Sequence, residues 1–392
     1  MGLPRKTSYD VVIAGGGPAG SSLAIRLASA GMSVLVAEQK RFPREKLCGE
    51  FISPECLSHF DELGVLPDIS SQSSRIAETV FYARSGRSVE VPSKWFGPDD
   101  TVALGLSRSE MDNVLLRRAA GVGVDVCEDT AAVGILAEGE QITGIKLRVG
   151  KGDDVGVNAK LVVDATGRSR SVARYADPFE KTGTRARNVA FKTHLTGADV
   201  ATGVCEIYSY SGGYGGCNLV EGGKFNLCFI VSADIAKRCG SDPERALREI
   251  VSTNPRARDA MKNVEAIDPW LAVPIQRFGR GSLTPRAGLV TVGDSAAFID
   301  PFTGSGILLA LQSSRILFGA IERNWQDGVE RIARGYHLSY SAAFDSRLRW
   351  ASMLRYASFS PFIAEIVVAG LGMSTPFRRH VALNTRHRTG DV

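Results

Sequence analysis

Several common features are scarce or missing, and each gap narrows the field. No stretch approaches the ~18 uninterrupted apolar residues of a spanning helix, so a transmembrane protein is not expected. Met1-Gly2-Leu3-Pro4-Arg5-Lys6 carries charge with no apolar run behind it, which predicts no secretory leader and a cytoplasmic location. The seven cysteines (Cys48, Cys56, Cys127, Cys205, Cys217, Cys228, Cys239) form no C-x-x-C pair, so neither a structural zinc site nor a disulfide framework is expected. They read as reduced thiols, most of them small buried apolar residues. Lysine is absent from Arg331 to the end, where nine Arg face three acids (Asp345, Glu365, Asp391) and so outweigh the net +5 of the whole chain. These basic residues are not interleaved with aromatics in a recognisable module, and no nucleic-acid partner is expected.

What is present is the composition of a globular protein. At 44% hydrophobic and 23% charged, with 42 Gly and 16 Pro, the chain has ample material for cores and many turns. At roughly 150 residues per domain, 392 residues predict two or three lobes.

The first forty residues read as strand, turn, helix and strand. Tyr9-Asp10-Val11-Val12-Ile13-Ala14 runs into Gly15-Gly16-Gly17-Pro18-Ala19-Gly20, and residues 21–30 place Leu23, Leu27, Ala24 and Ala28 at helical spacing. Gly31 stands where a helix ends. The next strand, Ser33-Val34-Leu35-Val36-Ala37, leads to Glu38, 18 residues after Gly20. Gly15 suits a tight turn, Gly17 a close approach to pyrophosphate, and Gly20 close helix-strand packing, while Glu38 can accept ribose hydroxyls. An adenine dinucleotide is expected there.

Downstream, Leu161-Val162-Val163-Asp164-Ala165-Thr166-Gly167-Arg168 is a buried-type strand with a polar turn. Ala287-Gly288-Leu289-Val290-Thr291-Val292 ends in Gly293-Asp294, followed by Asp300-Pro301-Phe302-Thr303-Gly304-Ser305-Gly306 and a helix over about 307–321. With Ser107-Arg108-Ser109-Glu110-Met111-Asp112, these segments resemble the FAD enzymes built like para-hydroxybenzoate hydroxylase. The resemblance implies an α/β fold: an FAD-binding Rossmann-like domain of the glutathione reductase type, an antiparallel β-sheet substrate domain and a C-terminal helical region. It implies FAD contacts at Gly15, Gly17, Ala19, Gly20, Glu38, Gln39, Arg44, Lys46, Cys48 and Gly49. Further contacts fall on Arg108, Asp164, Ala165, Gly167, Gly293, Asp294, Pro301, Gly304, Gly306 and Ile307. Asp294 would hold the ribityl chain, and the helix after Gly306 would aim its N-terminus at the flavin pyrimidine, stabilising the reduced form.

Between these motifs lie strand candidates. A hairpin surrounds Ser85-Gly86-Arg87, Val189 to Leu195 alternates with period two, and Phe225 to Val231 forms another run. Ser241-Asp242-Pro243-Glu244 opens a helix. The expected organisation has the FAD-binding domain in three parts, residues 1–74, 106–175 and 281–325. Substrate-domain strands fill 75–105 and 176–280, and a helical basic region spans 326–392. The sheet is expected to roof the flavin.

Phe42-Pro43-Arg44-Glu45-Lys46-Leu47-Cys48-Gly49-Glu50 resembles the Cys-Gly-Glu stretch of geranylgeranyl reductases, and its Phe-Pro-Arg start is similar to flavin-dependent halogenases. The catalytic candidates are Cys48, with Lys46 available to favour a thiolate, and His194 as a general base facing substrate. Tyr208, Tyr210 and Tyr214 are candidates for lining an apolar pocket. None of the four tryptophans forms the W-x-W pair of the halogenases. The resulting expectation is an FAD-dependent oxidoreductase reduced by NADPH or NADH and acting on a hydrophobic or aromatic small molecule, with hydroxylation leading. The alternatives are double-bond reduction in an isoprenoid lipid, halogenation, and electron transfer to a partner. No second G-x-G-x-x-G unit offers a separate nicotinamide domain. The apolar run at 361–373 beside the basic tail predicts either peripheral membrane contact or a helix packed on the body.

Overall fold

The computed structural model describes residues 3–98, 101–177, 186–275, 278–299, 302, 304–359 and 361–384. Its first sheet is built on Ser8–Ala14, a run whose β-branched residues favour an extended backbone. That strand pairs in parallel with Val34–Ala37 on one side and Asp154–Asp164 on the other, and Asp125–Cys127 extends the sheet beyond Val34–Ala37. Asp154–Asp164 is long enough to carry two neighbours along its other edge. Its end pairs in parallel with Leu289–Thr291, and its start pairs antiparallel with Gln141–Val149.

The helix Pro18–Ser29 begins with Pro, whose missing N–H costs nothing in a first turn, and Gly31 follows it at φ +84°. Its apolar face is fully buried at Leu23 and Leu27, each contributing about 2 kcal/mol by leaving water. It packs on Gly306–Asn324, a helix slightly longer than the sequence suggests, and the Ser22 and Ser314 hydroxyls meet at 2.6 Å between them. One large core joins these helices to the parallel sheet.

The second sheet runs Glu265–Ala266, Asn188–Thr196, Phe225–Ser232, Gly213–Leu219, Val204–Tyr210, Glu78–Tyr82 and Ser88–Pro92, with Leu271–Ile275 also on Asn188–Thr196. It corrects the expected antiparallel sheet in one place, because Val204–Tyr210 and Glu78–Tyr82 run parallel. A long excursion through the first domain separates these strands, which permits the parallel pairing that a tight hairpin forbids. The hairpin at residues 78–92 forms as expected.

A three-stranded ribbon links the halves. Ala103–Gly105 pairs with both Phe51–Ile52 and Ser74–Ile76, so the Cys-Gly-Glu loop is tied to the strand that precedes Arg108. At the far end, Val329–Phe359 packs on Gly306–Asn324, and Pro361–Met373 packs against Ser88–Pro92. Among the described residues, no helix is long and apolar enough to cross a membrane. All seven cysteines are free, five of them buried, as their spacing predicts.

Candidate functional site

The glycine-rich turn has the shape its sequence requires. Gly15 takes φ +109°, a conformation unfavourable to side chains, and a Cβ there would collide with the Ala165 carbonyl. A Cβ on Gly20 would strike the Gly15 carbonyl, so only glycine lets the helix approach the strand this closely. Glu38 is buried, and its carboxylate accepts the Gly16 and Lys40 amides, each at 2.9 Å. Gly15, Gly20 and Glu38 therefore shape the turn without bordering the cavity beside it, and Gln39 is exposed.

Cationic side chains converge on this turn. A Cβ at Gly17 would lie 3.8 Å from Arg44 and 3.9 Å from Arg108. Asp112 holds both: Arg108 as an i,i+4 pair at 2.7 Å and Arg44 at 3.2 Å. Burial by itself would lower the Arg108 pKa, but the Asp112 charge and hydrogen bond override it and hold the guanidinium firmly protonated. Lys46 lies 3.4 Å from where a Cβ on Gly167 would sit, and its pKa is lowered by burial, then by Arg108 and Arg44. Burial raises the Asp294 pKa against the pull of Lys46, Arg168 and Arg108. Arg44 Nη1 is buried with no hydrogen-bond partner, a donor in want of an acceptor. Surplus buried cations, an unused donor and a glycine turn fit the pyrophosphate of FAD.

These groups open into a cavity of about 330 Å³ between the two sheets. Gly17, Ala19, Lys46, Cys48, Gly49 and Arg108 border it, as do Ala165, Gly167, Gly293 and Asp294. Gly304, Gly306 and Ile307 also border it at the start of the helix Gly306–Asn324; Pro301 lies outside the described residues. Asp164 is a correction. One carboxylate oxygen accepts Thr166 and Ser295, the other the Ala173 amide at 2.8 Å, so it ties the turn together and does not face the cavity.

Cys48 borders the cavity with its sulfur 3.4 Å from the Glu50 amide. The cation that interacts with Cys48 is Arg108, where the sequence pointed to Lys46. His194 is a second correction. It is buried, does not border the cavity, and spends both ring nitrogens on carboxylates: Nε2 on Glu50 at 2.6 Å and Nδ1 on Asp268 at 2.7 Å. Its strand turns that face toward the Cys-Gly-Glu loop, which alternation alone does not reveal. Its pKa is raised, because the two carboxylates, Glu50 first, outweigh burial. Of Tyr208, Tyr210 and Tyr214, Tyr214 borders the cavity, as does Tyr82; Tyr208 and Tyr210 are sealed in the core, their hydroxyls bonded to Glu206 and the Ile230 carbonyl.

Sequence reasoning missed two groups. Glu50, beside the chosen Cys48 and Gly49, borders the cavity at φ +52°. The far wall was missed entirely: Phe81, Val89 and Val91 of the hairpin face Val367, Val368 and Leu371 of Pro361–Met373. Only the apolar character of residues 361–373 hinted at it.

Comparison with known proteins agrees with this geometry. The chain is 30% identical to the digeranylgeranylglycerophospholipid reductase of Methanocella arvoryzae over 79% of its own length and 76% of that protein. It is 28% identical to a 1H-pyrrole-2-carbonyl-[peptidyl-carrier protein] chlorinase of Pseudomonas fluorescens, over 80% and 75% of the two chains. A geranylgeranyl bacteriochlorophyll reductase-like protein of Thermoplasma acidophilum shares the fold, with TM-score 0.72, 22% identity and coverage of 97% and 92%. The FAD binding domain family matches residues 8–338, and the chain belongs to that family as an FAD-dependent oxidoreductase.

Proposed function

We propose that this oxidoreductase reduces carbon-carbon double bonds in an isoprenoid lipid, with NADPH or NADH as the source of electrons. The observation that carries the reading is the continuity of one cavity, from the cationic turn at Gly17 to an aliphatic wall of Val89, Val91, Val367, Val368 and Leu371. A long hydrocarbon chain gains most from such a wall, since each buried methylene contributes about 0.8 kcal/mol. The name of the Methanocella relative points the same way. On this reading reduction comes ahead of hydroxylation, which led on sequence alone.

FAD supplies hydride chemistry in such a site. The chain's own residues would do the rest: Arg44, Arg108 and Lys46 compensate the pyrophosphate charge, Asp294 accepts hydrogen bonds, and the walls exclude water. Ile363, Ile366, Met373 and Phe377 are exposed on the outer helices, with Arg379 also exposed in this segment without lysine. This surface fits an anionic bilayer as the source of substrate, an apolar face flanked by cations.

The test is anaerobic incubation of the FAD-loaded protein with a reductant and geranylgeranyl-bearing phospholipid, followed by mass spectrometry. Gain of two hydrogens per double bond supports the reading. Insertion of oxygen under air, with no hydrogenation, overturns it in favour of hydroxylation.

A further inference from the structure

Adding hydrogen across a double bond takes a hydride and a proton, and nothing described so far delivers the proton. Cys48, Gly49 and Glu50 lead to a chain of groups that does. Glu50 borders the cavity, and its two oxygens have separate tasks. Oε1 is pinned by the Lys192 ammonium at 2.7 Å and the Arg108 amide at 2.9 Å. Oε2 meets His194 Nε2 at 2.6 Å, and His194 Nδ1 meets Asp268 Oδ2 at 2.7 Å. The Asp268 side chain is 41% exposed, whereas those of His194 and Glu50 are 1% and 0% exposed. The chain thus begins in water and ends at the cavity.

The geometry also stores a proton. A neutral imidazole has one N–H, so it satisfies two flanking carboxylates only when it is protonated or when one carboxyl is. Three groups in line therefore share a proton that can rest on His194 or on Glu50 Oε2. Lys192 also reaches Glu45 at 2.5 Å, so its ammonium bridges the Glu45 and Glu50 carboxylates.

We propose that Asp268, His194 and Glu50 form a proton relay from solvent to the cavity, with Glu50 as the terminal acid. This rests on the isoprenoid reading for its substrate. FAD held by Arg44, Arg108 and Lys46 would supply the hydride for one alkene carbon, and the relay would deliver the proton for the other through Glu50. Glu50 would be refilled from His194 Nε2, and His194 Nδ1 would take a proton from water through Asp268. The alkene would gain two hydrogens, and the relay would return to its starting state. Glu50 is the inner end of the relay, while His194 and Asp268 are positioning residues that act through it. The charged groups around His194 are Glu50, Asp268, Lys192 and Glu45, with Lys224 acting on Asp268 and Glu45.

The experiment uses Asp268→Asn, a change at the exposed end that leaves the core intact, with Asp268→Glu as the conservative control. In full-length protein with 15N-labelled histidine, His194 should titrate above its ordinary value. Asp268→Asn should move that midpoint down by about one pH unit, and Asp268→Glu should restore it. In anaerobic reduction of geranylgeraniol, Asp268→Asn should slow turnover on the order of tenfold and enlarge the solvent deuterium isotope effect. The alkaline fall of its rate profile should also move to lower pH. An unshifted His194 midpoint, or a rate and isotope effect equal to wild type, overturns the relay. If wild type leaves the polyprenol unreduced, the isoprenoid reading fails by itself, and the histidine titration still decides the relay.

Discussion

The cavity's two ends are built by opposite means. Around Gly17 the chain spends fixed backbone geometry and buried charge, concentrated in Gly15, Gly20, Arg44, Arg108 and Asp112. At the other end, Ala83, Val89 and Val368 form a small apolar cluster with Phe81 and Leu371, brought together from residues nearly three hundred positions apart. The first end is lined by charge, and Gly15 and Gly20 there admit no added atom. The second is lined by hydrocarbon, whose packing is non-directional and open to substitution. Cofactor binding should therefore be brittle and substrate choice adjustable.

The largest test of that contrast is Gly20→Val. Its side chain must push against the Gly15 carbonyl, costing about 3 kcal/mol or more, and the purified protein should lose its flavin absorbance. Arg108→Ala comes next. It strips the buried Asp112 of its closest partner while Arg44 remains at 3.2 Å, so urea denaturation should show a loss of about 3 kcal/mol. At the other end, Leu371→Glu should leave flavin content unchanged and reduce turnover of a long polyprenyl substrate on the order of tenfold, as about 1.4 kcal/mol of apolar contact is lost. Equal damage to flavin binding would break the comparison.

His194 sharpens it through pH. Its folded pKa lies above the ordinary 6.5, so its contribution to stability is complete below about 6.5 and is lost as pH rises through the folded value. Denaturation of wild type and His194→Gln should differ most at pH 6 and least in alkali. The smallest effect is expected for Ser85→Ala, which removes an exposed hydrogen bond to Glu365 at 2.7 Å and should cost about 0.5 kcal/mol, with the C-terminal helices becoming easier to cleave by protease.

The legibility of the site follows the same divide. The turn from Gly15 to Gly20, the segment that carries Arg108 and Asp112, and the helix at Gly306 could be read because each needs particular residues within a few positions. Asp164 misled because a carboxylate at a strand end serves a cofactor or its own turn equally well, and two local partners, Thr166 and Ala173, with the distant Ser295, decided for the turn. His194 misled because period-two alternation names two faces without saying which meets the cavity. Glu50 went unassigned because its partners Lys192 and His194 lie more than 140 residues away.

The sequence by itself determined the dinucleotide turn, the α/β class and the FAD-binding motifs, since these depend on backbone sterics and short-range spacing. Tertiary structure alone decided that the second sheet is mixed, that Arg108 rather than Lys46 meets Cys48, and that helices from the C-terminal region close the cavity. The physical reason is that burial and charge pairing act through space, and only the folded chain sets which distant residues share a cavity wall.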